Sequence, residues 1–182
     1  YQQINRCSAA ALTIQLSYFE WDGTYDEVIR ALNPHAEDMA VRLDEMITYA
    51  ETQGLRAVAR YGGTNDMLKR LVAAGVPVIT PQWLDFKPDA IGHYRVVRGY
   101  DDARGGFLVN DSMIGADVFY SYSDFEQLWR AFNYRYLPVY RPESRPVVEA
   151  IVGDNMNRAT SARHALALFQ EKAAANPNDA YV

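Results

Sequence analysis

Three observations predict an α+β fold for this chain. Helical patterns fill its first part. Strand patterns dominate beyond Pro88. The later strands are short and divided by turn signals, as in an antiparallel sheet. Helices first and strands later argue against a doubly wound parallel sheet.

The elements follow in order. Cys7 to Glu20 reads as a helix, with Leu12, Leu16 and Phe19 as one apolar stripe and Ile14 and Tyr18 as another. A helix apolar over most of its circumference is buried on most sides. Asn5 is the expected N-cap, which sets Cys7 in the first turn. Tyr25 to Leu32 is a second helix, closed by Asn33-Pro34, and Met39 to Thr52 a third, stopped by Gly54. Leu55 to Tyr61 alternates like a strand, and Gly62-Gly63 turns the chain. Thr64 to Ala74 is a helix capped by Thr64 or Asn65, and Val76 to Thr80 a short buried strand. Gly92 to Gly99, Gly106 to Asn110 and Asp117 to Tyr120 are strands separated by turns at 101–105 and 112–115. Ser123 caps a helix to Phe132, with Glu126 at the capping-box position, and Tyr134 to Tyr140 is the last strand.

Arg141 to Pro146 is a Pro- and charge-rich break, so a boundary falls near Glu143, dividing 1–143 from 144–182. Ala159 to Ala175 is an Ala-rich amphipathic helix followed by Asn176-Pro177-Asn178-Asp179-Ala180. That segment resembles the second half of a tetratricopeptide repeat. One repeat cannot bury its own face, so the helix is expected to meet further repeats or the first domain.

Composition narrows the function. Hydrophobic residues make up 49% of the 182, ample for a core. Lysine and arginine number 18 against 23 acidic residues, a formal charge of −5, so nucleic acid and anionic membranes are not expected partners. No apolar run approaches the roughly 20 residues of a membrane span. A single cysteine, Cys7, excludes an intrachain disulfide and a multi-cysteine zinc site. His35, His93 and His164 are far apart in sequence, so neither metal nor cofactor is expected.

Cys7 is the candidate nucleophile, because the N-terminal end of a helix dipole stabilises a thiolate. Packing is the commoner role for a lone cysteine beside an apolar helix. His93 lies in a strand beside Gly92, and Asp111 ends the next strand, where it could orient the imidazole. Cysteine, then histidine, then Asp or Asn is an arrangement that papain-like enzymes use.

The local residues add more than the spacing. Gln2 through Tyr18 (QQINRCSAAALTIQLSY) resembles the N-terminal signature of the cysteine peptidases that process double-glycine leaders of bacteriocins. Stand-alone members read Gln, a few residues, Asn-Asn-Cys-Gly-Pro-Ala, then an apolar helix ending Ser-Tyr-Tyr-Gly. Gly92–Asp102 (GHYRVVRGYDD) resembles the family's histidine strand, Phe107–Gly115 (FLVNDSMIG) its aspartate turn, and Ser121–Tyr140 its closing helix and strand. The resemblance covers roughly 1–143 and implies a papain-like fold, an N-terminal catalytic helix packed on an antiparallel sheet. It implies Cys7 as nucleophile, His93 as general base and later acid, Asp111 as the residue orienting His93, and Gln2 as the oxyanion donor, with Gln3 left open by spacing. The chain departs from the family at Ser8-Ala9, where Gly-Pro is usual, and carries Arg6 before the cysteine. No ATP-binding cassette accompanies the peptidase-like blocks, so transport-coupled cleavage is not expected.

The function expected is a cysteine peptidase or related amide hydrolase acting on a peptide or protein. The alternative is a catalytically vestigial papain-like module that binds peptides or scaffolds, with a protein partner reached through helical repeats. Acyl transfer to an amine uses the same acyl-enzyme and is a third reading. The abrupt start and repeat-like tail give the expectation of a bacterial exported or surface protein.

Overall fold

A computed structural model describes residues 5–35, 41–87, 90–175 and 177. Helices α1 (Cys7–Ser17), α2 (Tyr25–Leu32) and α3 (Leu43–Thr52) precede strand β1 (Arg56–Ala57), helix α4 (Asn65–Ala73) and strand β2 (Val78–Trp83). Strands β3 (Gly92–Asp101), β4 (Gly106–Asp111) and β5 (Gly115–Ser121) follow as a meander, then helix α5 (Tyr122–Arg130) and strand β6 (Leu137–Tyr140). Helices α6 (Arg145–Val152) and α7 (Arg158–Ala175) close the described chain.

The six strands form one sheet in the order β1-β6-β2-β3-β4-β5, every pair antiparallel. Successive strand residues face opposite ways, so the sheet buries two cores. Val96 and Ile79 pack with Leu12, Leu16, Val28 and Met46 of α1, α2 and α3. Val97 and Val78 pack with Leu68, Phe125, Trp129 and Val148 of α4, α5 and α6. Full burial of a side chain such as Leu16 stabilises by about 1.5–3 kcal/mol.

Helix α1 starts at Cys7. The residue before it is Arg6, which makes no side-chain cap, and Asn5 sits in the left-handed region at φ 58°. Asn5 is therefore not the N-cap, though Cys7 does open the first turn. The helix stops at Ser17, short of Glu20. The buried Gln15 donates to the Pro77 carbonyl at 2.6 Å and so ties α1 to the entry of β2.

Two further expectations are corrected. Ser121, not Ser123, caps α5 by accepting from the Asp124 N–H at 3.1 Å, and Glu126 bonds Lys172 at 2.7 Å instead of closing a capping box. The segment read as a break, Arg141 to Pro146, holds a 3-10 turn over Pro142–Ser144 and the first two residues of α6. Its Pro146 lies in the first helical turn, where an N–H has no partner anyway.

Helix α7 lies along the body of the protein. Ser161 Oγ accepts from the Tyr61 N–H at 2.8 Å and donates to the Tyr61 carbonyl at 3.0 Å. Gly62, at φ +67°, lets the backbone of Ala165 approach closely. Farther along, Phe169 packs on the Tyr134 ring. The expected repeat-like continuation at Asn176 and 178–180 lies outside the described residues.

Candidate active site

The candidate site forms where the start of α1 meets β3 and β4. Cys7 is partly exposed at the head of its helix. Its side chain lies near enough to His93 to favour the protonated ring. His93 Nε2 lies 3.0 Å from Asp111 Oδ1, with both side chains essentially sealed from solvent. Three of the residues singled out in the sequence are thus brought together across more than a hundred positions. Gln2 and Gln3 lie outside the described residues.

The strand registers explain the meeting. Asp111 pairs directly with Arg95, two residues beyond His93 on the same face of β3. The β4–β5 turn then wraps the carboxylate. Met113 and Ile114 donate their N–H groups to Oδ1 at 2.8 and 3.1 Å.

Behind this pair stands a charged layer that sequence reasoning missed. Arg95 is completely buried. Its Nε donates to Asp111 Oδ2 at 2.8 Å, Nη1 to Gln82 Oε1 and the Trp83 carbonyl at 2.9 Å, and Nη2 to the Leu84 carbonyl at 2.7 Å. The guanidinium also lies over the Tyr120 ring. A signal was available in GHYRVV: a charge amid the apolar residues of a buried strand, two places from the histidine, needs a buried partner.

These contacts set the protonation states. Burial alone pushes the His93 pKa down. The hydrogen bond to Asp111, the Cys7 side chain and the Asp111 charge outweigh that and the opposing Arg95 charge, and it sits above 6.5. Burial likewise pushes Asp111 up. The His93 hydrogen bond and charge, the Met113 N–H and the Arg95 charge hold it well below the usual carboxylate range. Asp111 is therefore ionised at neutral pH and able to hold a cationic ring in place.

Two clefts stand out, the first of them at the site itself. One, of about 490 Å³, opens beside Asp111 and Ser112 with Ala10, Ile14 and Tyr25 in its wall. The other, of about 560 Å³, has Tyr94 in its wall, the residue after His93. Among the described residues no cluster suited to a metal ion occurs, and no helix is long and apolar enough to cross a membrane.

A thiol-bearing helix set against an antiparallel sheet that carries a His–Asp pair defines the papain-like class of α+β fold. More narrowly, the chain belongs to the Peptidase_C39-like family, whose model matches residues 1–137. Solved structures agree on the fold. A Bacillus anthracis protein described as a C39-like peptidase superposes with a TM-score of 0.62 at 17% identity, covering 75% of this chain and 89% of that one. The peptidase domain of Streptococcus ComA, a bifunctional ABC transporter of a quorum-sensing pathway, gives 0.60 at 14%, covering 78% and 95%. A double-glycine motif protease from an AMS/PCAT transporter, solved with its leader peptide, gives 0.56 at 16%, covering 78% and 88%. No curated protein matches the sequence.

Proposed function

We propose that the chain is a cysteine peptidase or closely related amide hydrolase, with Cys7 as nucleophile, His93 as proton carrier and Asp111 as the group that orients the ring. The observation that carries this reading is the side-chain series Cys7–His93–Asp111, with the ring favoured in its protonated form. The Cys7 thiolate attacks the carbonyl carbon and a C–S bond forms. The Cys7 backbone N–H and the Gln2 side-chain amide hold the oxyanion. Protonated His93 gives its proton to the leaving amine as the C–N bond breaks, then takes one from the water that clears the acyl-enzyme. Asp111 stays ionised throughout.

The substrate class is a peptide, a reading supported by the similar double-glycine motif protease solved with a leader peptide. Ser8 follows the thiol where the family has glycine, and it is buried. A double-glycine preference is therefore not part of the proposal. The bacterial neighbours support a bacterial source. The helical extension is read as the opening of a tetratricopeptide-like array with a protein-binding face, on which Leu166 is 59% exposed.

Iodoacetamide should label Cys7 rapidly near neutral pH, His93→Ala should abolish that rapid labelling, and Cys7→Ala should abolish peptide turnover. Gln2→Ala should lower kcat about 100-fold or more if Gln2 is the donor. A silent Gln2→Ala with an impaired Gln3→Ala would move the role one residue along. Should Cys7→Ala bind peptides normally while the wild type never turns one over, the chain is a peptide-binding module.

A further inference from the structure

The second cleft has a charge opposite to that of the protein. Arg42, Arg60, Arg135 and Arg158 line it, and Asp44 is its one acidic wall residue among those described. The chain as a whole carries −5. Asp44 is already committed to Arg42, Nη2 to Oδ2 at 3.0 Å. The other three guanidiniums have no carboxylate partner among the described residues. Arg60 spends its donors on main-chain oxygens, Nε on Met156 at 2.8 Å and Nη1 on Ala59 at 2.7 Å. Arg135 lies 4.6 Å from the centre of the Tyr61 ring and donates to its hydroxyl at 2.6 Å. Arg158, in the first turn of α7, is exposed.

Like charges held together at a concave wall raise the local potential, because low-dielectric walls focus the field. Arg60 feels its neighbours: burial lowers its pKa most, the Tyr136 charge opposes that, and the Arg158 charge lowers it further. An anion entering the cleft would relieve that repulsion. The volume, about 560 Å³, suits a side chain or chain end and not a polymer. A polyanion would also meet the net negative charge of the remaining surface.

Tyr94 in the wall of the cleft also feels the Cys7 charge. This residue follows His93 in β3, and its hydroxyl donates to the Val41 carbonyl. Its phenol is raised to about 12 by burial and by the Cys7 charge, with the Arg135 charge opposing. One ring thus stands within electrostatic reach of both the sulfur and the arginine wall.

We propose that this arginine-lined cleft is a substrate subsite for a carboxylate, supplied by an Asp or Glu side chain near the scissile bond or by the C-terminus of a short peptide. The proposal rests on the peptidase reading for its place in turnover, but binding can be measured without turnover. Peptides differing by a single Glu or Gln, and by a free or amidated C-terminus, are titrated against the full chain carrying Cys7→Ala, with anisotropy as the readout. At one position the acid should bind about tenfold or more tightly than its neutral twin, the worth of one charge-assisted hydrogen bond. Which twin pair shows the effect separates side chain from terminus. The preference should shrink when salt rises from about 50 to about 500 mM. It should be lost in Arg158→Glu, an exposed change that spares the fold, and in Arg135→Met.

Equal binding of acid and neutral twins, no peptide binding at all, or a preference that survives both substitutions would overturn the subsite. Acid-selective binding with no cleavage by the wild type would retire the peptidase reading and leave the subsite standing.

Discussion

Some papain-like enzymes use asparagine where this chain has Asp111, since asparagine can still orient the imidazole. Here the geometry makes Asp111→Asn a severe change. Asp111 Oδ1 accepts from His93, Met113 and Ile114, and Oδ2 accepts from Arg95. An asparagine has one oxygen and one NH₂. Whichever way it turns, the NH₂ opposes an N–H, either that of Arg95 or those of the turn. The substitution also removes the negative charge that compensates a fully buried guanidinium. Breaking such a pair by deleting one partner costs about 3–5 kcal/mol. For a chain of this length that lowers Tm by roughly 6–20 °C. Thermal unfolding by circular dichroism measures it directly. A double-mutant cycle with Arg95→Met isolates the cause, because removing both partners should recover about 1–3 kcal/mol relative to the sum of the singles. An Asp111→Asn protein within about 1 kcal/mol of wild type, or strictly additive singles, would refute the account of Arg95 as the buried counter-charge.

Three further outcomes are expected. Because the folded-state pKa of His93 is raised above 6.5, its contribution to stability is complete below that pH and is lost as pH rises through the folded value. Turnover that depends on the protonated ring should therefore have its alkaline limb above pH 6.5, read from a kcat/KM profile. Asp111 is depressed, so its contribution is complete above about 3.8 and is lost only as pH falls through the lower folded value; chemical denaturation at stepped acid pH should follow that order, and Asp111→Asn should flatten it. Gly63→Ala would set a methyl group 2.7 Å from the Trp129 ring and 2.9 Å from Tyr136, an overpacking worth about 1–3 kcal/mol by urea unfolding.

Residue pattern made the helices and the meander legible, and it failed where a backbone donor or a hidden charge decided. The strand read over Leu55–Tyr61 survives only as Arg56–Ala57 with a bridge from Arg60 to Tyr136. Its partner β6 contains Pro138, which has no N–H to give the ladder. Conversely β2 runs on through Pro81 to Trp83, because β6 pairs it only at Val78 and Ile79 and the rest of that edge needs no donor. Cys7, His93 and Asp111 stood out because each is the rare reactive type in its segment. Arg95 and the arginine cleft did not, because no local period shows that Arg60, Arg135 and Arg158, far apart in sequence, share a wall.

On the proposed chemistry, the buried Asp111–Arg95 layer also bears on when Cys7 meets its partners. Cys7 leaves the ribosome 86 residues ahead of His93 and 104 ahead of Asp111. Helix α1 can form early from local contacts, but the ring meets its carboxylate only after β3 and β4 are paired and the β4–β5 turn has wrapped Asp111. A chain caught before that stage carries Cys7 without the proposed proton carrier in place. Completion of the sheet would thus act as a safety catch on the proposed chemistry, keeping half-made chains from cutting their neighbours.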